Sequence, residues 1–164
     1  MTGSPTPGSI STTGMFRVWF VPKGSNPLSI AILNALPAKD LTYSLTPGGW
    51  RPATTENTVS DGRFTQRQVL SRKGNYSLAL EVQYVYGATD DIAYPTLIED
   101  VEGFIVVRES VSNDTDPAIA QKVDVFAIQA GKQRKDPPAE NALKTITQGL
   151  YSTAPTKVDQ VLVA

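Results

Sequence analysis

Among its 164 residues the chain has no cysteine and no histidine. Without cysteine, disulfide staples and thiolate metal sites are excluded. Without histidine, the usual proton shuttle near neutral pH and the commonest metal ligand are gone. A serine–histidine–aspartate triad is likewise impossible. An excess of one charge is also missing: 15 lysines and arginines stand against 16 aspartates and glutamates, a formal net charge of −1. A protein built to grip nucleic acid carries a basic excess, because its affinity comes from neutralising phosphates. No apolar run approaches the ~20 residues that cross a bilayer, so no membrane partner is expected. The first 14 residues, MTGSPTPGSISTTG, have neither the apolar core nor the basic flank of a secretory signal, and the chain is expected to act where it is made.

Catalytic patterns are lacking too. There is no phosphate-binding loop, no G-x-G-x-x-G, no H-E-x-x-H and no nucleophile elbow. The acidic group Glu99, Asp100 and Glu102 and the pair Asp90 and Asp91 lack the loop that calcium requires, and read as solvating or helix-capping charges. Neither an enzyme nor a bound cofactor or metal is expected.

What is there is β-strand sequence. One chain of this length can bury roughly 70% of its unfolded surface as a single domain. Residues 15–21 (MFRVWFV) are aromatic and β-branched, and read as a strand. Residues 28–36 (LSIAILNAL) fit either a strand or a helical turn or two. Residues 41–45 (LTYSL) alternate as a strand. The following stretch, 46–61, holds PGGW, Pro52 and many threonines and serines, and reads as a long loop. Residues 63–70 are read as a strand, with Lys73, Gly74 and Asn75 as a turn. The clearest strand is 76–86 (YSLALEVQYVY), with Tyr76, Leu78, Leu80, Val82, Tyr84 and Tyr86 towards a core and the odd positions polar. Residues 91–98 offer the one short helix, with Thr89 or Asp90 as N-cap. Residues 104–108 are apolar on both faces, as in a central strand. Strands at 123–129, 143–151 and 158–163 complete about eight, spaced as in a sandwich or barrel. The fold class expected is all-β with one short helix, as two packed antiparallel sheets. Its division is a flexible arm over 1–14 and a single β domain over 15–164, with long loops at 46–61 and 130–141.

Two features of these loops suggest contact surfaces. Trp50, beside Arg51, either folds back onto the domain or anchors an interface. The basic cluster Lys132, Arg134 and Lys135 faces Asp136, Pro137, Pro138 and Glu140. It is short and lacks interleaved aromatics, so it fits one half of a charged subunit contact better than a nucleic-acid site.

In order and spacing, several pieces resemble one family. They are LTYSL with Gly49, Trp50 and Pro52; DGRF over 61–64; LEVQYVY over 80–86; residues 93–97; GFIVVR over 103–108; QKVDVF over 121–126; and 131–148 with its double proline and ITQ. Together they resemble the tail tube (major tail) proteins of long-tailed bacteriophages that infect actinobacteria. The resemblance implies two β-sheets with a flanking helix. It also implies six copies per ring and rings stacked around a tape-measure protein on a tail-tip initiator. Viral DNA later passes through the lumen without specific binding, in a virion tail assembled in the host cytoplasm. Residues 1–14, 46–61 and 130–141 would then supply stacking contacts, and Glu81 and Gln83 on the polar face of 76–86 would line the lumen. Other readings stand beside this one: a β-sandwich binding module of a tail tip or fibre, and a single-ring tail terminator.

Overall fold

The computed structural model describes residues 8–164. The arm expected over 1–14 therefore lies partly outside the described residues; 8–14 are exposed and contain no strand or helix. Among the described residues nine strands are present: β1 (Phe16–Pro22), β2 (Lys39–Asp40), β3 (Leu45–Asp61), β4 (Leu70–Val85), β5 (Glu102–Glu109), β6 (Lys122–Ala130), β7 (Arg134–Lys135), β8 (Thr145–Ser152) and β9 (Lys157–Val161). Two single-turn helices join them, α1 (Ile30–Leu33) and α2 (Ala93–Thr96). The all-β antiparallel reading holds, with two short helices where one was expected. Strand pairing follows the path β2-β1-β5-β6-β8-β4-β3, with β9 on β6 and β7 on β8.

The described residues group into two compact units. The first comprises the described residues of Met1–Ser44 with Glu102–Ile128 and Ala154–Ala164; the second comprises Leu45–Val101 and Gln129–Thr153.

In the first unit, β1 pairs with β5 along its whole length, from Phe16 opposite Glu109 to Pro22 opposite Gly103. Its core gathers Trp19, Val21, Leu33, Val106, Val123, Val125 and Leu162. The run at 28–36 resolves as the helical turn α1, whose isoleucines are poor helix formers. It is held by burying Leu33 and by the bond from Ile30 N–H to the Val163 carbonyl. Of the strand expected at 41–45, residues 42–44 form a turn and Leu45 opens β3. Asp40 Oδ1 accepts bonds from both the N–H and the hydroxyl of Thr42, at 2.9 and 2.6 Å, and this side-chain capture bends the backbone out of the ladder.

In the second unit, the expected loop and strand exchange places. Residues 46–61 form β3, and residues 62–69 are the connection. β3 lies at the end of the pairing path, the position in a sheet where proline is tolerated, and its threonines are β-branched strand formers. The PGG segment still interrupts the strand: the register passes from Leu45 opposite Tyr84 to Trp50 opposite Val82, so residues 46–49 bulge opposite Gln83. Lys73, Gly74 and Asn75 make no turn. They lie within β4 at a second bulge, where the pairing shifts between Glu56–Tyr76 and Thr58–Lys73. A Cβ on Gly74 would stand 2.9 Å from the Asn57 carbonyl oxygen, so the bulge needs glycine. α2 starts later than expected. Its N-cap position is Ile92, while Asp91 accepts the N–H of Gly87 at 2.7 Å and so fixes the loop after β4.

Candidate assembly surface

Alternation along β4 sorts the second unit's side chains onto two faces. Leu80, Val82 and Tyr84 are buried, as the sequence pattern predicts, whereas Tyr76, expected on the same core face, is exposed where β4 has run past β8. Glu81 and Gln83 point the other way, and pairing brings polar partners beside them. Arg51 on β3 is opposite Glu81, Thr147 on β8 is opposite Gln83, and Arg134 on β7 is opposite Thr147. The expected loop at 130–141 therefore contains a short strand that carries one of its cations onto this face.

The groups interlock. Arg51 donates to Glu81 at 3.0 Å, to the Gly48 carbonyl at 2.9 Å and to Gln83 at 3.5 Å. Arg134 reaches the other Glu81 oxygen at 3.4 Å. Thr46, in the first bulge, donates to Gln83 Oε1 at 2.9 Å. Gln83 Nε2 in turn donates to Asp136 at 2.9 Å. Asp136 also accepts the hydroxyls of Thr145 at 2.7 Å and Thr147 at 2.8 Å. The bond from Gln83, followed by that from Thr145, holds Asp136 below the usual carboxylate range against a smaller opposing effect of burial; Thr147 and Arg134 add to it. Both arginines thus pair with Glu81, and Asp136, held by neutral donors, brings a second carboxylate to the face, which spans three strands and a loop.

Five of the nine residues singled out from sequence meet here: Arg51, Glu81, Gln83, Arg134 and Asp136. The others do not. Trp50 is half-buried on the opposite face, beside Val82. Lys135 lies over the Tyr86 ring, 5.4 Å from its centroid. Lys132 is exposed in the loop, and Glu140 is exposed at a turn.

Sequence reasoning missed the network beneath. Tyr84 is buried, and its hydroxyl donates to Gln148 Oε1 at 2.9 Å and accepts from Gln133 Nε2 at 2.9 Å. Gln148 Nε2 then caps the carbonyls of Leu97 at 2.9 Å and Gly131 at 2.7 Å. Burial pushes the Tyr84 phenol up to about 12. Two glutamines and a tyrosine thereby tie the α2 segment and the β6–β7 connection to β4 and β8. The available signal was a glutamine at a core position of an alternating strand. The first unit has a comparable latch. Buried Arg108 donates to the carbonyls of Ser112 and Thr115, both at 2.8 Å, and to Gln121 at 2.9 Å, with its guanidinium 5.5 Å from the Trp19 ring centroid. Among the described residues no group of acidic side chains is arranged to hold a metal ion, and no helix is long and apolar enough to cross a membrane.

The profile of the phage tail tube protein family matches residues 4–164. The chain belongs to that family. It is a structural tail protein, a component of the virion tail. No curated protein matches it by sequence. Among solved structures, a chain in the cryo-EM structure of the anti-feeding prophage baseplate, six-fold symmetrised, is similar in fold. The TM-score is 0.61 at 8% identity, over 93% of this chain and 96% of that one.

Proposed function

We propose that this protein is the repeating subunit of a long phage tail tube: copies close into rings, rings stack, and viral DNA passes through the bore during ejection. The observation that carries this reading is the polar face of β3, β4, β8 and β7, where Arg51 and Arg134 both pair with Glu81 and Asp136 adds a second carboxylate. DNA affinity grows with each phosphate a protein cation neutralises. A face whose cations already have carboxylate partners offers few such sites, which suits a conduit. Glu81 and Gln83 would look into the lumen. Six copies per ring is the number that the sequence resemblance implies, and the similar baseplate chain comes from a six-fold symmetrised assembly. A tape-measure protein filling the bore during assembly, and a tail-tip initiator that starts it, would be the remaining partners. The sequence resemblance further supports a host among the actinobacteria and assembly in its cytoplasm.

Negative-stain electron microscopy of the concentrated protein, with light scattering on what stays soluble, tests the proposal. Hollow tubes or stacked rings are expected, with or without added initiator. Monodisperse single rings would instead identify a terminator. Monomers that stay monomers in the presence of the initiator would leave the tail-tip binding module as the better reading.

A further inference from the structure

Phe64 is 98% exposed, on the connection between β3 and β4. The hairpin leading to it is also uncovered, with Val59, Val69, Leu70 and Tyr76 exposed. β8 accompanies β4 only from Leu80 to Val85. From Leu70 to Ala79, β4 has β3 as its ladder partner. At about 3.3 Å per residue, this ribbon runs roughly 30 Å past the last β8 pairing. A two-stranded ribbon is marginal alone in water, and this one ends in a bare phenyl ring.

The first unit holds a matching cavity. A cleft of about 210 Å³ is lined by Leu28, Phe104, Val125, Ala127, Ala154 and Pro155. It opens onto the hydrophobic core: Val125 belongs to that core, and Leu28 and Phe104 pack against it. Asn26 and Lys157 supply its polar lining. An apolar cavity of about 150 Å³ is enough to bind benzene, so a phenylalanine ring fits here with room for its stem.

We infer that the Phe64 ring of one copy seats in this cleft of a second copy. Three observations select that occupant. The ring is the most exposed of the large apolar side chains described. Its ribbon has the reach to cross to a neighbour. Size and polarity agree between ring and cleft. Knob and hole are different surfaces, so each contact leaves a free knob on one copy and a free hole on the other, and pairing propagates. The inference rests on the tube reading, and names the receptor surface that the hairpin uses within it.

The absence of cysteine makes a crosslinking test clean. Gly62 neighbours the ring, and an added side chain there meets nothing within 4 Å. Copies carrying Gly62→Cys are mixed with copies carrying Ala154→Cys and treated with a short bismaleimide. Mixed dimers are expected at about tenfold the yield of a control pair in which Ala139→Cys replaces Ala154→Cys, as for a contact centred on one aromatic anchor. Adding Phe64→Ser to the Gly62→Cys copies should remove that excess, and Phe64→Leu should keep most of it. Circular dichroism confirms that each variant is folded. A yield at control level, a yield indifferent to Phe64→Ser, or dominant tip-to-tip crosslinks between Gly62→Cys copies would overturn the inference. Tubes by microscopy without the crosslink would sink this contact and spare the tube reading. A Phe64-dependent crosslink without tubes would do the reverse.

Discussion

Gln83 Nε2 donates to Asp136 Oδ2 across 2.9 Å, joining the strand proposed to face the bore to the loop that carries the basic cluster. Because three side-chain donors converge on it, Asp136 is ionised more readily in the folded chain than in the unfolded one. Its contribution is therefore present above the ordinary carboxylate pKa, near 3.9, and is lost as pH falls through the depressed folded value. Asp136→Ala should lower stability at pH 7 by about 1 kcal/mol, discounted for its partial exposure. The difference from wild type should vanish in strong acid. Denaturant melts of both proteins from neutral pH downward check this; a gap that persists at the lowest pH would count against the assignment.

Tyr84 carries the opposite sign. Its folded pKa is raised to about 12, above the usual value of about 10. Above pH ~10 the unfolded chain ionises this phenol while the folded chain keeps its proton, so stability falls as pH rises and levels off only past about 12. Tyr84→Phe should remove that alkaline component. At pH 7 it should cost about 1–3 kcal/mol by stranding Gln133 and Gln148. Thermal melts at neutral and alkaline pH separate the two effects.

Arg108 holds the loop after β5 by its carbonyls. Replacing it with methionine keeps much of the volume but removes its bonds to the Ser112 and Thr115 carbonyls and to Gln121, leaving only the Thr115 N–H on Ser112 and Arg17 on Thr115, and should cost about 1–3 kcal/mol. Arg108→Lys should not rescue, because one ammonium cannot reproduce the guanidinium fork. Hydrogen exchange over residues 110–121 should accelerate in both variants.

Gly49 tests the first bulge. An added Cβ would overlap the Gln83 carbonyl oxygen and stand 2.8 Å from that of Thr46. Gly49→Ala should therefore cost more than about 2 kcal/mol and disturb the amide resonances of residues 81–83. An unperturbed spectrum would show that the bulge can relax.

Glu81 lies between two arginines. Glu81→Lys takes the trio it forms with Arg51 and Arg134 from a net charge of +1 to +3. These pairs are largely exposed, so the fold should lose less than about 1 kcal/mol. If the face lines the bore, phage carrying the variant should eject DNA more slowly, most visibly at low salt. Unchanged ejection would place this face elsewhere.

The fold was partly legible. The buried strand β5 and the core positions of β4 follow from composition and period, because an alternating or doubly apolar run has few other ways to bury itself. The exchange of loop and strand between 46 and 70 was not legible. PGG, Pro52 and a run of threonines carry turn chemistry and strand propensity together. Only the long-range pairing with β4, with two bulges to absorb the misfit residues, decides between them. Likewise, alternation put Glu81 and Gln83 on a polar face. It could not show that Arg51, Arg134 and Asp136, from three other segments, would neutralise it.

The sequence by itself determined the all-β class, the chemistry that is missing and, through the order and spacing of its pieces, the family. These depend on composition and local period, which each segment carries with it. Only the tertiary structure decided which side chains share a face, which glycines are irreplaceable, and that an uncovered phenylalanine and an apolar cleft occur in the same chain. Those facts depend on register between segments far apart in sequence, where one residue of slip would turn every side chain to the other face.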